Sequence, residues 1–173
     1  MKQALLYTML LCCWVVVNRP DGQRVVMVAE SYLGHQAPEN RSEHVDYWNA
    51  KRGVPMGSSY CATALSHWLD SADVSFPVRS AVAREFITNK SIPAHRVTGE
   101  LPEGTIAIWR RGESWMGHVG VITSWSGQEG ETIEANTSPG FEGSQYDGSG
   151  VWRKKREVVP TAFFRITHFT KLK

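Results

Sequence analysis

Two hydrophobic periodicities divide the chain into two halves. Between Gln23 and Asn89, apolar residues recur every three or four positions, which is typical of amphipathic helices. From Thr105 onward, short runs rich in β-branched and aromatic residues are separated by loops of Gly, Ser and Pro, which is typical of strands. Helices followed by an antiparallel sheet predict an α+β domain.

The first half predicts four helices, most of which have a recognisable boundary residue. Gly34 is expected to stop the first helix, Ser42 to cap the second and Gly53 to end it. The third begins at Cys61, and Pro77 is expected to open the fourth. The predicted helices cover residues 23–34, 42–53, 61–72 and 78–89.

The second half predicts five strands, at residues 105–109, 117–125, 131–136, 151–159 and 162–169. The fourth strand contains the basic run Arg153-Lys154-Lys155-Arg156. Because alternate residues of a strand face opposite sides, this run is a poor nucleic-acid site. We expect it to be a solvated sheet edge that tolerates an anionic surface.

Residues 1–19 form a separate N-terminal segment that is apolar from Ala4 to Val17. We expect a signal peptide or N-terminal anchor, which makes the protein secreted or periplasmic and leaves residues 23–173 as the functional domain. The run is shorter than the ~20 apolar residues of a membrane span. Two alternatives remain: lipidation at Cys12 or Cys13, and a buried N-terminal helix of the domain.

Composition adds mainly exclusions. The 173 residues are 42% hydrophobic and suit one globular domain. A formal charge of +2 is too small to indicate nucleic acid. We expect a monomer that uses no cofactor and meets a membrane only through an N-terminal anchor. Apart from His118, which is discussed below, the histidines do not show the spacing of metal ligands, so no zinc site is expected. They are His35, His44, His67, His95 and His168.

Cys61 is the most informative single residue. Once Cys12 and Cys13 leave with the N-terminal segment, Cys61 has no partner for an internal disulfide. At the start of a helix, unpaired N–H groups and the helix dipole favour the reactive thiolate. The alternative is a small buried core residue, as free cysteines often are.

His118 and two polar residues complete a candidate constellation. His118 lies between Gly117 and Gly120 at the start of a predicted strand, where it could form a thiolate–imidazolium pair with Cys61. Glu134 and Asn136 share a face of the next strand, and either could orient the imidazole. The alternative is that both residues decorate the open face of the sheet.

A helix-leading Cys, a Gly-His-Val-Gly-Val strand and a Glu-x-Asn strand, in this order, resemble the CHAP family of cysteine, histidine-dependent amidohydrolases and peptidases. That family is papain-like and related to the NlpC-type wall peptidases. The resemblance covers roughly residues 25–169. It implies a papain-like fold, Cys61 as nucleophile, His118 as base, Glu134 or Asn136 as the orienting residue, and peptidoglycan as the partner. Of the two orienting candidates we marginally favour Asn136, because a neutral amide orients the imidazolium in papain-like sites.

The sequence departs from the family at the position before the nucleophile. Many members have Gln there, and this chain has Tyr60. The oxyanion would then rest on the Cys61 N–H, with help from the Ser59 or Tyr60 side chain. Trp115, in the loop before His118, is expected to line the substrate groove. The calcium-binding acidic loop of some members is missing, so no metal is expected.

The resemblance implies a cell-wall hydrolase that cuts an amide bond, as an N-acetylmuramoyl-L-alanine amidase or a stem-peptide endopeptidase. Two alternatives stay open. The same residues could serve a thiol amidase that acts on a small soluble amide, or Cys61 could be inert in a non-catalytic secreted wall-binding module.

Overall fold

A computed structural model describes residues 19–140 and 148–172, and its architecture is the predicted α+β arrangement. The N-terminal segment at residues 1–18 lies outside the described residues. The helices are α1 Asp21–Glu30, α2 Glu43–Ala50 and α3 Cys61–Ser71. The strands are β1 Ile92–Pro93, β2 Ile106–Arg111, β3 Gly117–Ser126, β4 Glu129–Thr137, β5 Gly150–Glu157 and β6 Phe164–Thr170.

All six strands belong to one antiparallel sheet in the order β1-β6-β2-β3-β4-β5. One face packs against α1 and α3 through a core that includes Val119, Val121 and Ile133. A second, smaller core contains Trp125 and Phe169, whose ring centroids lie 4.9 Å apart. Within the described ranges, no helix is long and apolar enough to cross a membrane.

The first three predicted helices are present, with small differences at their ends. The Ser42 hydroxyl accepts the Val45 N–H at 3.1 Å, which confirms the predicted cap of α2. Helix α1 ends at Glu30, earlier than predicted, and turns lead from there to Gly34, whose φ is 82°.

The predicted fourth helix over residues 78–89 is wrong, because only a 3₁₀ turn, Ala83–Phe86, forms there. Side chains bind backbone groups at the start of this segment and just before it. The Ser66 hydroxyl both accepts from the Ser80 N–H and donates to the Ser80 carbonyl, each at 2.9 Å. The Arg79 guanidinium donates to three nearby carbonyl oxygens, those of Val74, Phe76 and Val78.

The five predicted strands correspond to β2–β6, but the prediction of a solvated basic edge is half wrong. β5 is an edge strand, and Arg153 and Lys155 form ion pairs on its accessible side. Lys154 is fully buried. Its ammonium donates to two carbonyl oxygens, those of Ser138 and Gly140, at 2.6 and 2.7 Å. Arg156 is also turned inward, toward the site described below.

Candidate active site

Cys61 is the first residue of α3 and lines a groove. Its thiol is free and the residue is 7% exposed. No side chain caps this helix, so the N–H groups of its first turn stay available at the groove. A negatively charged sulfur or oxygen is stabilised at such a helix end.

Tyr60, directly before the nucleophile candidate, is fully buried and does not line the groove. Its hydroxyl donates to the Gly148 carbonyl at 3.2 Å and accepts the backbone N–H of Asn136. Burial raises the pKa of this phenol. The Tyr60 side chain therefore contacts the end of β4 and the segment before β5, and of the two predicted oxyanion side chains only Ser59 lines the groove.

His118 is buried beside Cys61, and both residues border the groove. The imidazole Nε2 lies 3.0 Å from a Glu134 carboxylate oxygen, which leaves Nδ1 for its hydrogen bond with the Cys61 thiol. Burial alone would lower the pKa of His118, but the Cys61 and Glu134 contacts outweigh it and raise the pKa to about 9. The buried Trp109 ring packs edge-on against the imidazole, with ring centroids 5.4 Å apart.

Glu134 is fully buried, and its partners among the described residues include His118, Arg156 and Thr132. In addition to His118, the Arg156 guanidinium donates to both carboxylate oxygens, at 2.7 and 2.8 Å. The Thr132 hydroxyl donates at 2.6 Å. Burial would raise the pKa of this carboxyl, but the hydrogen bonds from Arg156 and His118 hold it well below its usual range.

Gly120 provides the space for this carboxylate. It pairs with Glu134 across β3 and β4, and a Cβ at this glycine would lie 2.7 Å from the Glu134 Cγ. Only a residue without a side chain fits there. The second glycine of the Gly-His-Val-Gly pattern is therefore explained by the close approach of Glu134.

Asn136 is placed differently from the sequence-based preference for it as the partner of the His118 ring. It lies at a bulge of β4, with φ 61°, and no hydrogen bond among the described residues joins it to His118. Asn136 lines the groove, but its side-chain oxygen is buried and has no hydrogen-bond partner within the described part of the chain. Of the two candidates, Glu134 is the one that contacts the imidazole.

The groove has a volume of about 680 Å³, with Cys61 and His118 on its wall. Trp115 also lines this groove and is 70% exposed. One part of the lining is polar and contains Asn40, Ser58, Ser59 and Asn136. Another part is mainly apolar and contains Val54, Val82, Trp115, Met116 and Phe164.

Sequence reasoning missed Arg156, Thr132 and Gly120 as members of the site. The alternation of residues along a strand places Thr132 on the same face as Glu134, which was a usable signal. The pairing of Arg156 with Glu134 depends on the register between β4 and β5, which no local pattern specifies.

No group of three or more His, Cys, Asp or Glu residues in the described ranges could hold a metal ion. No protein-family model, curated protein or solved structure matches this chain.

Proposed function

We propose that the protein is a cysteine hydrolase that cleaves an amide bond in bacterial peptidoglycan. One observation carries the proposal: a continuous hydrogen-bonded chain runs from Cys61 through His118 to the buried carboxylate of Glu134, at the wall of an open groove. This is the arrangement that nucleophilic catalysis by a thiolate requires.

The chemistry is acyl transfer to water. The Cys61 thiolate attacks the amide carbonyl carbon, and the N–H groups at the start of α3 stabilise the resulting oxyanion. The C–N bond breaks as His118 gives its proton to the leaving amine, and a thioester remains on Cys61. The neutral His118 then takes a proton from water, whose oxygen attacks the thioester and releases the acid and the thiolate.

Asn136 has a role in substrate binding in this proposal. Asn136 lines the groove beside Cys61, and its buried side-chain oxygen lacks a hydrogen-bond partner among the described residues. An unpaired buried acceptor is unfavourable, and in this proposal the amide turns toward the groove when substrate binds, where a substrate N–H pairs with it. Ser59 and the exposed Trp115 also line the groove and supply further contacts for the substrate.

The choice of peptidoglycan rests on the resemblance to the CHAP family in the order of the Cys, Gly-His-Val-Gly-Val and Glu-x-Asn segments. The apolar N-terminal segment supports a secreted or periplasmic location, where this substrate occurs. The scissile bond is either the amide between sugar and peptide or an amide within the stem peptide.

Digestion of purified peptidoglycan tests the proposal. We expect wild-type protein to release soluble fragments whose masses identify one cleaved amide bond, and Cys61→Ala to release none. Cys61→Ala and His118→Ala should each abolish release, and the double variant should be little worse than either, because the two groups act as one unit. If the wild-type protein does not digest peptidoglycan but cleaves small soluble amides, the small-amide amidase is supported instead. A wild-type protein inactive on both would contradict catalysis.

A further inference from the structure

Arg156 extends the hydrogen-bonded chain beyond the residues that carry the proposed reaction. We propose that Arg156 is a positioning residue whose guanidinium neutralises Glu134, so that the positive charge of His118 remains available to the Cys61 thiolate. The inference rests on the proposed function only for the importance of that thiolate, and it can be tested without the wall substrate.

The contact has the geometry of a specific ion pair. Nε and one terminal nitrogen of Arg156 donate to the two oxygens of Glu134, at 2.7 and 2.8 Å, and the Arg156 side chain is 14% exposed. A guanidinium and a carboxylate that meet in this two-pronged way fix each other in orientation as well as in charge. Glu134 is thereby held in place for its contact with His118.

Charge balance gives the physical reason for the proposal. With a thiolate at Cys61, the buried chain contains two negative groups, Cys61 and Glu134, and two positive groups, His118 and Arg156. Buried charge without compensation is strongly unfavourable, and proteins usually remove it by a change of protonation. Without Arg156, the chain has one excess negative charge, and uptake of a proton by Cys61 would remove it.

The other charged neighbours do not replace Arg156. Lys154 lies on the same face of β5 and its charge acts on Glu134 from a distance, but its ammonium donates to the carbonyl oxygens of Ser138 and Gly140 and forms no ion pair with that carboxylate. Arg153, on the opposite face, pairs with Glu30 at 2.8 Å. Trp109, the ring packed on His118, carries no charge. Arg153 therefore offers a matched control on the same strand.

The test is the rate at which iodoacetamide alkylates Cys61 as a function of pH, measured on the full chain by mass spectrometry of the Cys61 peptide. For Arg156→Gln, we expect the profile to move up by about one pH unit, which is about tenfold in rate at a fixed lower pH. Arg153→Gln should leave the profile in place, and Arg156→Lys should return it most of the way toward wild type.

An unchanged profile in folded Arg156→Gln would overturn the proposal. If that variant does not fold, Glu134→Gln/Arg156→Gln replaces it, because it removes one charge of each sign. We expect the double variant to fold and to react near the wild-type pH. A double variant as unfolded as the single one would show that Arg156 only supports the sheet. If the alkylation rate depends on Arg156 but the protein does not digest peptidoglycan, this inference stands. In that case only the proposed substrate is wrong.

Discussion

Glu134 and Asn136 are two residues apart on β4 but have different environments. The Glu134 carboxylate is buried among His118, Arg156 and Thr132, whereas the Asn136 amide borders the groove with an unpaired oxygen. Strand alternation predicts that the two side chains share a face, and the bulge at Asn136 separates them. The bulge is a shift in the register between β4 and β5, which the local sequence does not reveal.

These environments predict different kinetic effects for the two residues. Glu134→Gln should lower kcat by about a hundredfold or more, because a neutral amide no longer stabilises the His118 imidazolium. Asn136→Ala should lower kcat/KM by about tenfold, the value of one hydrogen bond to substrate, mainly through KM. Steady-state kinetics on an isolated wall fragment measures both. A larger kcat loss in Asn136→Ala than in Glu134→Gln would reverse the two roles.

At the scale of elements, the parts of the fold with strong local patterns were predictable. Cys61 begins α3, and His118 and Glu134 lie on the adjacent strands β3 and β4, as the sequence predicts. The local sequence could not show that residues 78–89 form no helix. The backbone there is held by the Ser66 side chain from α3 and by Arg79. The pairing of Arg156 with Glu134 similarly depends on the register of an edge strand.

The close approach of β3 and β4 makes Gly120 a sensitive position. In Gly120→Ala, the new methyl would lie 2.7 Å from Glu134 Cγ and 2.9 Å from the Ile133 carbonyl oxygen. We expect a loss of about 1–3 kcal/mol in unfolding free energy from overpacking. The displaced carboxylate should also lower activity by about a hundredfold.

Gly99→Ala is the matched control, because a Cβ at Gly99 meets no atom within 4 Å. Its unfolding free energy should remain within about 0.5 kcal/mol of wild type. Chemical denaturation and the wall digest measure the two effects. If Gly120→Ala were as stable and active as Gly99→Ala, Glu134 would not need the space that this glycine leaves.

At the scale of the whole molecule, the buried charges make stability depend on pH. The His118 pKa is raised from 6.5 to about 9, so its contribution is complete below about pH 6.5 and is lost as the pH rises through about 9. The Glu134 pKa is lowered from 4.5, so its contribution is complete above about pH 4.5 and is lost in stronger acid. The two contributions coincide between about pH 4.5 and 6.5.

The difference in Tm between wild type and His118→Gln should therefore be largest near pH 5–6 and should shrink as the pH passes 9. Thermal unfolding across this range measures it, and His95→Gln is the control, since His95 lies in a 3₁₀ turn away from the site. If the Tm difference between wild type and His118→Gln instead grew toward alkaline pH, the folded protein would hold His118 in its neutral form, which contradicts the account.

The most direct test of the account is the covalent intermediate on Cys61. Wild-type protein mixed with a wall fragment and quenched rapidly in acid should carry an acyl group on the Cys61 peptide, detectable by mass spectrometry and removed by hydroxylamine. The adduct mass should equal the acyl half of the cleaved substrate, and Cys61→Ala should neither form the adduct nor cleave the bond. Cleavage by Cys61→Ala at the wild-type rate, without any adduct, would contradict the central claim.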